Sequence, residues 1–200
     1  MLAIAVGFGA VNGITRGGEP VGIDVGWMAV VGPGQPAWLL PSLVLHHVGF
    51  GVPAFIIASV VAGGLILWDR PWGAAYFLAA AITSAALVEL LKNGIGRPRP
   101  TVALIDAGFG SYPSGHAARA AMLAVTLGVL IPRLWVWMLG AAYTLTVMVS
   151  RTQLGAHWLS DTIGGALVGA AAALLCFTLF TRQLQNEGER AHPPPWRRGR

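Results

Sequence analysis

Residues 162–181 read TIGGALVGAAAALLCFTLFT and contain no aspartate, glutamate, lysine or arginine. A helix needs roughly 17–25 apolar residues to cross the hydrocarbon core of a bilayer, so this stretch is long enough for one span. The whole chain is 55% hydrophobic and only 10% charged, whereas a soluble domain carries about 25% charged residues. The sequence therefore predicts an all-α membrane protein.

Other charge-free stretches extend this pattern toward the N-terminus; they cover residues 25–68, 71–88, 120–132 and 134–149. Together with the apolar start of the chain they predict helices at about 1–15, 47–68, 72–92, 114–131, 134–150 and 157–181. We expect these helices to form one transmembrane domain, residues 1–181, built as a bundle of about six transmembrane helices.

Two segments do not fit a simple span. Residues 21–46 contain several prolines and glycines that interrupt a long helix, so we expect an interfacial loop with one short amphipathic helix carrying Trp27 and Trp38. Residues 182–200 hold five arginines and three consecutive prolines. This composition predicts a disordered, basic cytoplasmic tail close to anionic lipid headgroups.

The arginines also predict the topology. Arg70, Arg133 and the tail arginines occupy alternate loops, which the positive-inside rule places in the cytoplasm. The remaining loops, 93–113 and 151–156, then face the other side of what we expect to be the cell membrane. They carry their own cations, and a ligand explains that cluster better than topology does.

The tetrapeptide Pro113-Ser114-Gly115-His116 opens one apolar helix on that non-cytoplasmic side. Ser114 is a favourable N-cap residue, and Gly115 lets a ligand approach the backbone closely. The free N–H groups at a helix start favour an anion, and His116 in the first turn can donate a proton. A capped helix with an interfacial histidine is the plainer alternative.

A second histidine, His157, precedes Asp161 by four residues, which places both on one helix face. A carboxylate that binds one ring nitrogen leaves the other as a lone pair, and this suits a nucleophile or a metal ligand. Lys92, Arg99 and Arg151 bring three positive charges to the same side. Guanidinium and ammonium groups are typical phosphate ligands.

Several polar residues receive simpler interpretations. Arg97 and Arg119 fit interfacial cations that extend their charged ends to water, although Arg119 is also near enough to touch a lipid phosphate. Glu89 is one turn before Lys92 and is placed to brace it. His46 and His47 have no matching ligand spacing and are not assigned to a site.

Three motifs of the chain together resemble the three-part signature of the type 2 phosphatidic acid phosphatase family, which includes the vanadium haloperoxidases. The motifs are Lys92-x6-Arg99-Pro100, Pro113-Ser114-Gly115-His116 and Ser150-Arg151-x5-His157-x3-Asp161. The resemblance implies metal-independent hydrolysis through a phosphohistidine, with no cofactor. His157 would be the nucleophile, Asp161 its orienting carboxylate and His116 the proton donor. The phosphate-binding residues would be Lys92, Arg99, Ser114, Gly115 and Arg151.

The predicted substrate is a lipid phosphate or diphosphate: a polyprenyl diphosphate such as undecaprenyl diphosphate, phosphatidic acid, or phosphatidylglycerol phosphate. Transfer to an alcohol acceptor instead of water is one alternative, and a non-catalytic membrane protein that binds anionic lipids is another. Membrane lipids are the expected partners. Nucleic acid is excluded because the basic residues divide between helix ends and the tail, and the sequence leaves the oligomeric state open.

Overall fold

The computed structural model describes residues 1–33, 35–49 and 51–191. This part of the chain forms eight α-helices. They are α1 (Leu2–Arg16), α2 (Gly22–Val31), α3 (Pro36–Val48), α4 (Gly51–Leu67), α5 (Pro71–Ile95), α6 (Gly115–Leu130), α7 (Leu134–Gln153) and α8 (Leu159–Ala191).

The prediction of an all-α membrane protein is confirmed. Two described helices are long and apolar enough to cross a membrane, within Pro71–Ile95 and Leu159–Glu189, and α2 with α3 would make a third if that bent pair were one span. Shorter apolar helices are Leu2–Gly13, Gly51–Leu67 and Gly115–Leu130. The count of about six spans stays a prediction.

Residues 21–46 differ from the expectation of a loop with one short helix. They form α2, which carries Trp27, and most of α3, which carries Trp38 and tolerates Pro41 in its interior. Pro36 begins α3, where its missing N–H costs nothing because the first turn has no intrahelical acceptor for it. The two helices meet at an angle of 114°, so α3 turns toward α7 and packs on it.

The centre of the bundle is the pair α6 and α8, flanked by α5 and α7; α4 packs on α5, and α1 and α2 pack on α8. Alanine and glycine let α6 and α8 approach each other closely. A Cβ added at Gly169 would lie 2.7 Å from the carbonyl carbon of Ala118, and one at Gly165 would lie 3.1 Å from that of Ser114. This close packing fixes the start of α6 against the start of α8.

We expect Gly169→Ala to destabilise the protein by about 1–3 kcal/mol, because an added methyl group would collide with the α6 backbone. The measurement is thermal unfolding in detergent. Gly64→Ala is the matched control, since nothing lies within 4 Å of a Cβ added there. Equal unfolding temperatures for the two variants would contradict this view of the α6–α8 contact.

The end of the bundle opposite the histidines contains the α4–α5 turn, the α6–α7 turn and the last turns of α8. Arg70 Nη1 donates to the carbonyl of Leu130 at 2.7 Å. Glu187 accepts from the backbone N–H groups of Trp72 (2.7 Å) and Gly73 (3.1 Å), which have no intrahelical partner.

The expectation of a disordered tail from residue 182 is therefore wrong for residues 182–191. These residues continue α8, because Glu187 is buried against the start of α5 and caps it. Residues 192–200, the rest of the predicted tail, lie outside the described residues. That 1–181 forms a single domain stays a prediction.

Candidate active site

A cavity of about 670 Å³ opens at the end of the bundle where α5 ends and α6 begins. Its polar wall gathers basic and imidazole side chains from four helices and two loops. They are His46, Lys92, Arg99, His116, Arg119, Arg151 and His157. The alternation of helix directions brings these residues, which are distant in the sequence, to one end of the bundle.

His157 is buried in the short loop between α7 and α8. Its Nδ1 lies 2.8 Å from the carbonyl oxygen of Ser111. A carbonyl only accepts hydrogen bonds, so Nδ1 carries the proton and Nε2 keeps its lone pair. Nε2 lies 3.4 Å from Nη1 of Arg99, on the side of the cavity. An imidazole nitrogen that keeps its lone pair beside a cavity has the chemistry that a nucleophile requires.

The sequence assigned the orientation of this ring to Asp161, but the structure shows a closer partner. The Oδ2 atom of Asp161 lies 3.7 Å from Nδ1 of His157, beyond a hydrogen bond, whereas the Ser111 carbonyl is within one. Asp161 contributes mainly negative charge near the ring. It also accepts from the Ser111 hydroxyl and from the Trp158 N–H at 2.8 Å.

Behind Asp161 lies a buried ion network that the sequence did not predict. Arg97, interpreted from the sequence as an interfacial cation, is only 2% exposed. It donates to Asp161 Oδ1 at 2.5 Å and to Asp24 Oδ2 at 2.8 Å. Asp24 also accepts from the N–H and hydroxyl of Ser160, each at 2.8 Å. The network joins α2 to the start of α8.

His116 occupies the first turn of α6, and Ser114 is the N-cap residue of that helix, as expected. The Ser114 hydroxyl makes no cap hydrogen bond, however, and its buried oxygen has no hydrogen-bond partner in the described structure. Leaving a buried hydroxyl unpaired costs about 1–3 kcal/mol. His116 Nε2 lies 3.2 Å from the backbone carbonyl of His46.

Arg151 is almost fully buried at the end of α7. Its Nη2 donates to the carbonyl of Ser42 at 3.0 Å, and its Nη1 lies 3.0 Å from Nδ1 of His46. The rings of His46 and His116 also contact each other, with centroids 5.5 Å apart and planes tilted by 30°. His46 is thus a site residue that the sequence did not assign, because no spacing within α3 marks it.

Arg99 and Arg119 are held by backbone carbonyls. Arg99 donates through Nε to Gly108 at 2.9 Å and through Nη1 to Ala156 at 2.5 Å. Arg119 donates to the carbonyl of Gly49. Within the described ranges, no carboxylate lies in ion-pair distance of Lys92, Arg99, Arg119 or Arg151. Their charge is therefore available to an anion.

Burial shifts the titration of the groups in the two loops of the site. Burial lowers the pKa of His157 to about 4, although the nearby Asp161 carboxylate works in the opposite direction. Burial also lowers the pKa of Arg99, and the charges of Asp161 and Asp106 oppose that shift. His157 is thus neutral at pH 7, with Nε2 unprotonated.

Most residues assigned from the sequence meet at this cavity: Lys92, Arg99, Gly115, His116, Arg151 and His157. Ser114 and Asp161 are fully buried just behind its wall. Among the described residues, no group of three His, Cys, Asp or Glu side chains is placed to hold a metal ion. Cys176 is buried in the core, as expected for a small apolar residue.

These features define a helical membrane protein with a strongly basic pocket and a buried, neutral imidazole at one end of the bundle. Residues 73–185 match the model of the PAP2 superfamily. The chain belongs to this superfamily, so the resemblance found in the sequence is confirmed, and the protein is a phosphatase of the PAP2 type.

The chain is similar to several lipid phosphatases. The lipid A 1-phosphatase of Rhizobium etli is 31% identical over 76% of this chain and 69% of its own length. An undecaprenyl-diphosphatase of Sulfolobus acidocaldarius is 43% identical over 32% of this chain and 31% of its own. The crystal structure of a transmembrane PAP2-type phosphatidylglycerolphosphate phosphatase from Bacillus subtilis superposes with a TM-score of 0.73 at 22% identity. It covers 90% of this chain and 92% of that one.

Proposed function

We propose that this protein removes a phosphoryl group from a lipid phosphate or lipid diphosphate at the bilayer surface. The shape of the cavity carries this proposal. Its basic end contains Lys92, and its far end reaches Phe77 and Ala81 on the same helix. Fifteen residues of α-helix span roughly 22 Å, so the cavity is deep enough for a headgroup together with part of an apolar tail.

The walls of the deep part favour entry from the side. They are apolar and come from three helices: Ala54, Phe55, Ile57 and Ala58 on α4, Phe77, Ala81 and Val88 on α5, and Met122 and Leu123 on α6. In the part of the chain that the structure describes, α4 packs on α5 and α3 and has no extensive contact with α6. A lipid tail would enter between α4 and α6 while its phosphate reaches the cations.

The proposed mechanism has two displacements. The Nε2 lone pair of His157 attacks phosphorus and forms a P–N bond, while the P–O bond breaks and its electron pair goes to the leaving oxygen, which His116 protonates. Water activated by His116 then attacks phosphorus, the P–N bond breaks, and phosphate leaves. Covalent capture divides one difficult step into two easier ones.

In this mechanism the remaining residues hold charge and geometry. Lys92, Arg99 and Arg151, with the Gly115 N–H and the unpaired Ser114 hydroxyl, would bind the equatorial oxygens of the transferred group. Positioning and charge stabilisation carry most of phosphoryl-transfer catalysis. Asp161 stabilises the positive charge that develops on the His157 ring as its bond to phosphorus forms.

The site would face the non-cytoplasmic side of the cell membrane. The positive-inside rule uses the loop cations Arg70 and Arg133, and both lie at the opposite end of the bundle. Arg70 donates a hydrogen bond to the carbonyl of Leu130, and Arg133 precedes α7. The proposal leaves the oligomeric state open. Membrane lipids are the proposed partners, and no cofactor is assigned to the reaction.

The pH dependence follows from His157. Because its free-enzyme pKa lies at about 4, Nε2 becomes protonated and loses its lone pair only as the pH falls through that value. We expect kcat/KM to be lost below about pH 4 and to be independent of this group at higher pH, since kcat/KM reports the free enzyme. A His157 ring that titrates near pH 6.5 in an NMR titration of the substrate-free enzyme would contradict the buried, neutral ring.

The proposed function is tested by measuring phosphate release from a polyprenyl diphosphate, phosphatidic acid and phosphatidylglycerol phosphate in detergent micelles. We expect release from at least one of them by the wild type and none above background by His157→Ala purified in the same way. Binding of these lipids without release, equal in both proteins, would instead identify a non-catalytic lipid-binding protein. Phosphorylated alcohol in place of free phosphate would identify a phosphotransferase.

A further inference from the structure

Arg119 lies in the cavity but has no part in the mechanism proposed above. It follows His116 by three residues on α6, so both side chains lie on the same helix face, and both line the cavity. Its guanidinium donates to the carbonyl of Gly49, and no described carboxylate neutralises it. A guanidinium has five N–H donors, so most of its donors remain for a ligand.

The position of Arg119 along the cavity is informative. Helix α6 starts at the basic end, so Arg119 lies about 4.5 Å deeper along the helix axis than His116. One turn further, Met122 and Leu123 already belong to the apolar wall. The backbone of Arg119 therefore lies between the proton donor and the apolar wall, and its guanidinium reaches the carbonyl of Gly49, a residue that packs against the His116 ring.

Tyr143 of α7 lines the same part of the cavity and is an electrostatic neighbour of both Arg119 and Arg151. Its hydroxyl can donate a hydrogen bond to an anion. The tyrosine and the arginine thus provide polar groups from two helices beside a part of the wall that is mostly apolar. Glu89 is the one carboxylate of α5 that lines this cavity, and it is the electrostatic partner of Lys92.

From this arrangement we propose that Arg119 and Tyr143 form a second anion subsite, which binds the phosphate on the leaving-group side of a lipid diphosphate. The inference rests on the proposed function and names its substrate class. His157 would attack the terminal phosphorus, and the bridging P–O bond would break with its electrons on the bridging oxygen. His116 would protonate that oxygen, and the leaving group, a lipid monophosphate, would lie against Arg119.

The test compares one lipid carrying one or two phosphates. Farnesyl diphosphate and farnesyl monophosphate are hydrolysed in the same detergent by the wild type, Arg119→Gln and Arg119→Lys. A charge-assisted hydrogen bond is lost only with the diphosphate, so Arg119→Gln should lower kcat/KM for the diphosphate about tenfold or more and for the monophosphate less than about twofold. Arg119→Lys should recover part of the loss. Arg133→Gln, at the opposite end of the bundle, is the matched control and should change neither value.

Each other result has a defined meaning. An equal loss for both substrates in Arg119→Gln would show that Arg119 only supports the fold through Gly49, and would overturn the subsite. Hydrolysis of the monophosphate with no dependence of diphosphate hydrolysis on Arg119 would overturn it while leaving the proposed function intact. If the wild type released no phosphate from any lipid phosphate, the proposed function and the subsite would both fail.

Discussion

His157→Ala should reduce kcat by about a thousandfold or more, the loss expected when a covalent nucleophile is removed. The reason lies in the ring geometry. The Ser111 carbonyl holds Nδ1–H at 2.8 Å, so the lone pair is on Nε2, which lies on the cavity side 3.4 Å from Arg99. No other described imidazole combines a buried ring, a fixed tautomer of this kind and a position between Arg99 and Asp161. The measurement is steady-state phosphate release, with circular dichroism to show that the variant is folded.

His47→Ala is the matched control for the loss of an imidazole. Its ring is exposed and does not line the cavity. It contacts the Leu43 carbonyl and meets the His46 ring edge to face. We expect this variant to retain wild-type kcat within about twofold. A His157→Ala protein that keeps more than a tenth of the wild-type rate would rule out His157 as the nucleophile.

Arg97→Met is expected to have the largest effect on stability, about 3–5 kcal/mol. The substitution leaves Asp24 and Asp161 buried without their shared counter-ion, and both carboxylates are fully inaccessible to solvent. Activity should fall as well, because Asp161 also accepts from the Ser111 hydroxyl, and Ser111 holds the His157 ring. Thermal unfolding in detergent and kcat are measured on the same preparation.

Two further variants separate charge from packing in this network. Arg133→Met removes an exposed arginine at the opposite end and should leave the unfolding temperature unchanged. Adding Asp24→Asn to Arg97→Met removes one of the two uncompensated charges and should recover part of the lost stability. If Arg97→Met proves as stable as Arg133→Met, the buried network does not stabilise the fold around the site.

The sequence predicted the helices whose positions depend on the exclusion of charged side chains from the bilayer. Charge-free stretches gave the positions of α1 and α4–α8, because a bilayer excludes charged side chains over a fixed length. The same reasoning placed the end of α8 too early, at residue 181. The helix continues to Ala191, and Glu187 in this extension is buried and caps the start of α5. When a carboxylate pairs with backbone N–H groups of a distant helix, the residues next to it in the sequence do not reveal that contact.

The sequence predicted the site residues that lie next to the ends of helices. His116 and His157 lie beside helix starts, and Lys92 and Arg151 lie near helix ends, so alternation alone brings them to one face. Asp24 and Arg97 were missed because each looks like an isolated interfacial charge. The available signal was weak: Asp24 is the last carboxylate before a stretch of more than 40 uncharged residues, and ionisable groups in such surroundings are usually paired.

His46 was missed for a different reason. Its role depends on the turn between α2 and α3, which directs α3 against α7 and brings the ring to Arg151. Proline and glycine positions indicate that a chain bends, but they do not fix the direction of the bend. Contacts made across such a bend follow only from the three-dimensional arrangement.

The central claim is that phosphoryl transfer passes through His157, and trapping the intermediate tests it most directly. A lipid phosphate substrate labelled with ³²P in its terminal phosphate is mixed with enzyme, the reaction is quenched in alkali within milliseconds, and the labelled peptide is sequenced. We expect the label on His157 in the wild type, in an alkali-stable and acid-labile bond, and none in His157→Ala. Rapid phosphate release with no labelled protein, or a label on another residue, would contradict the account.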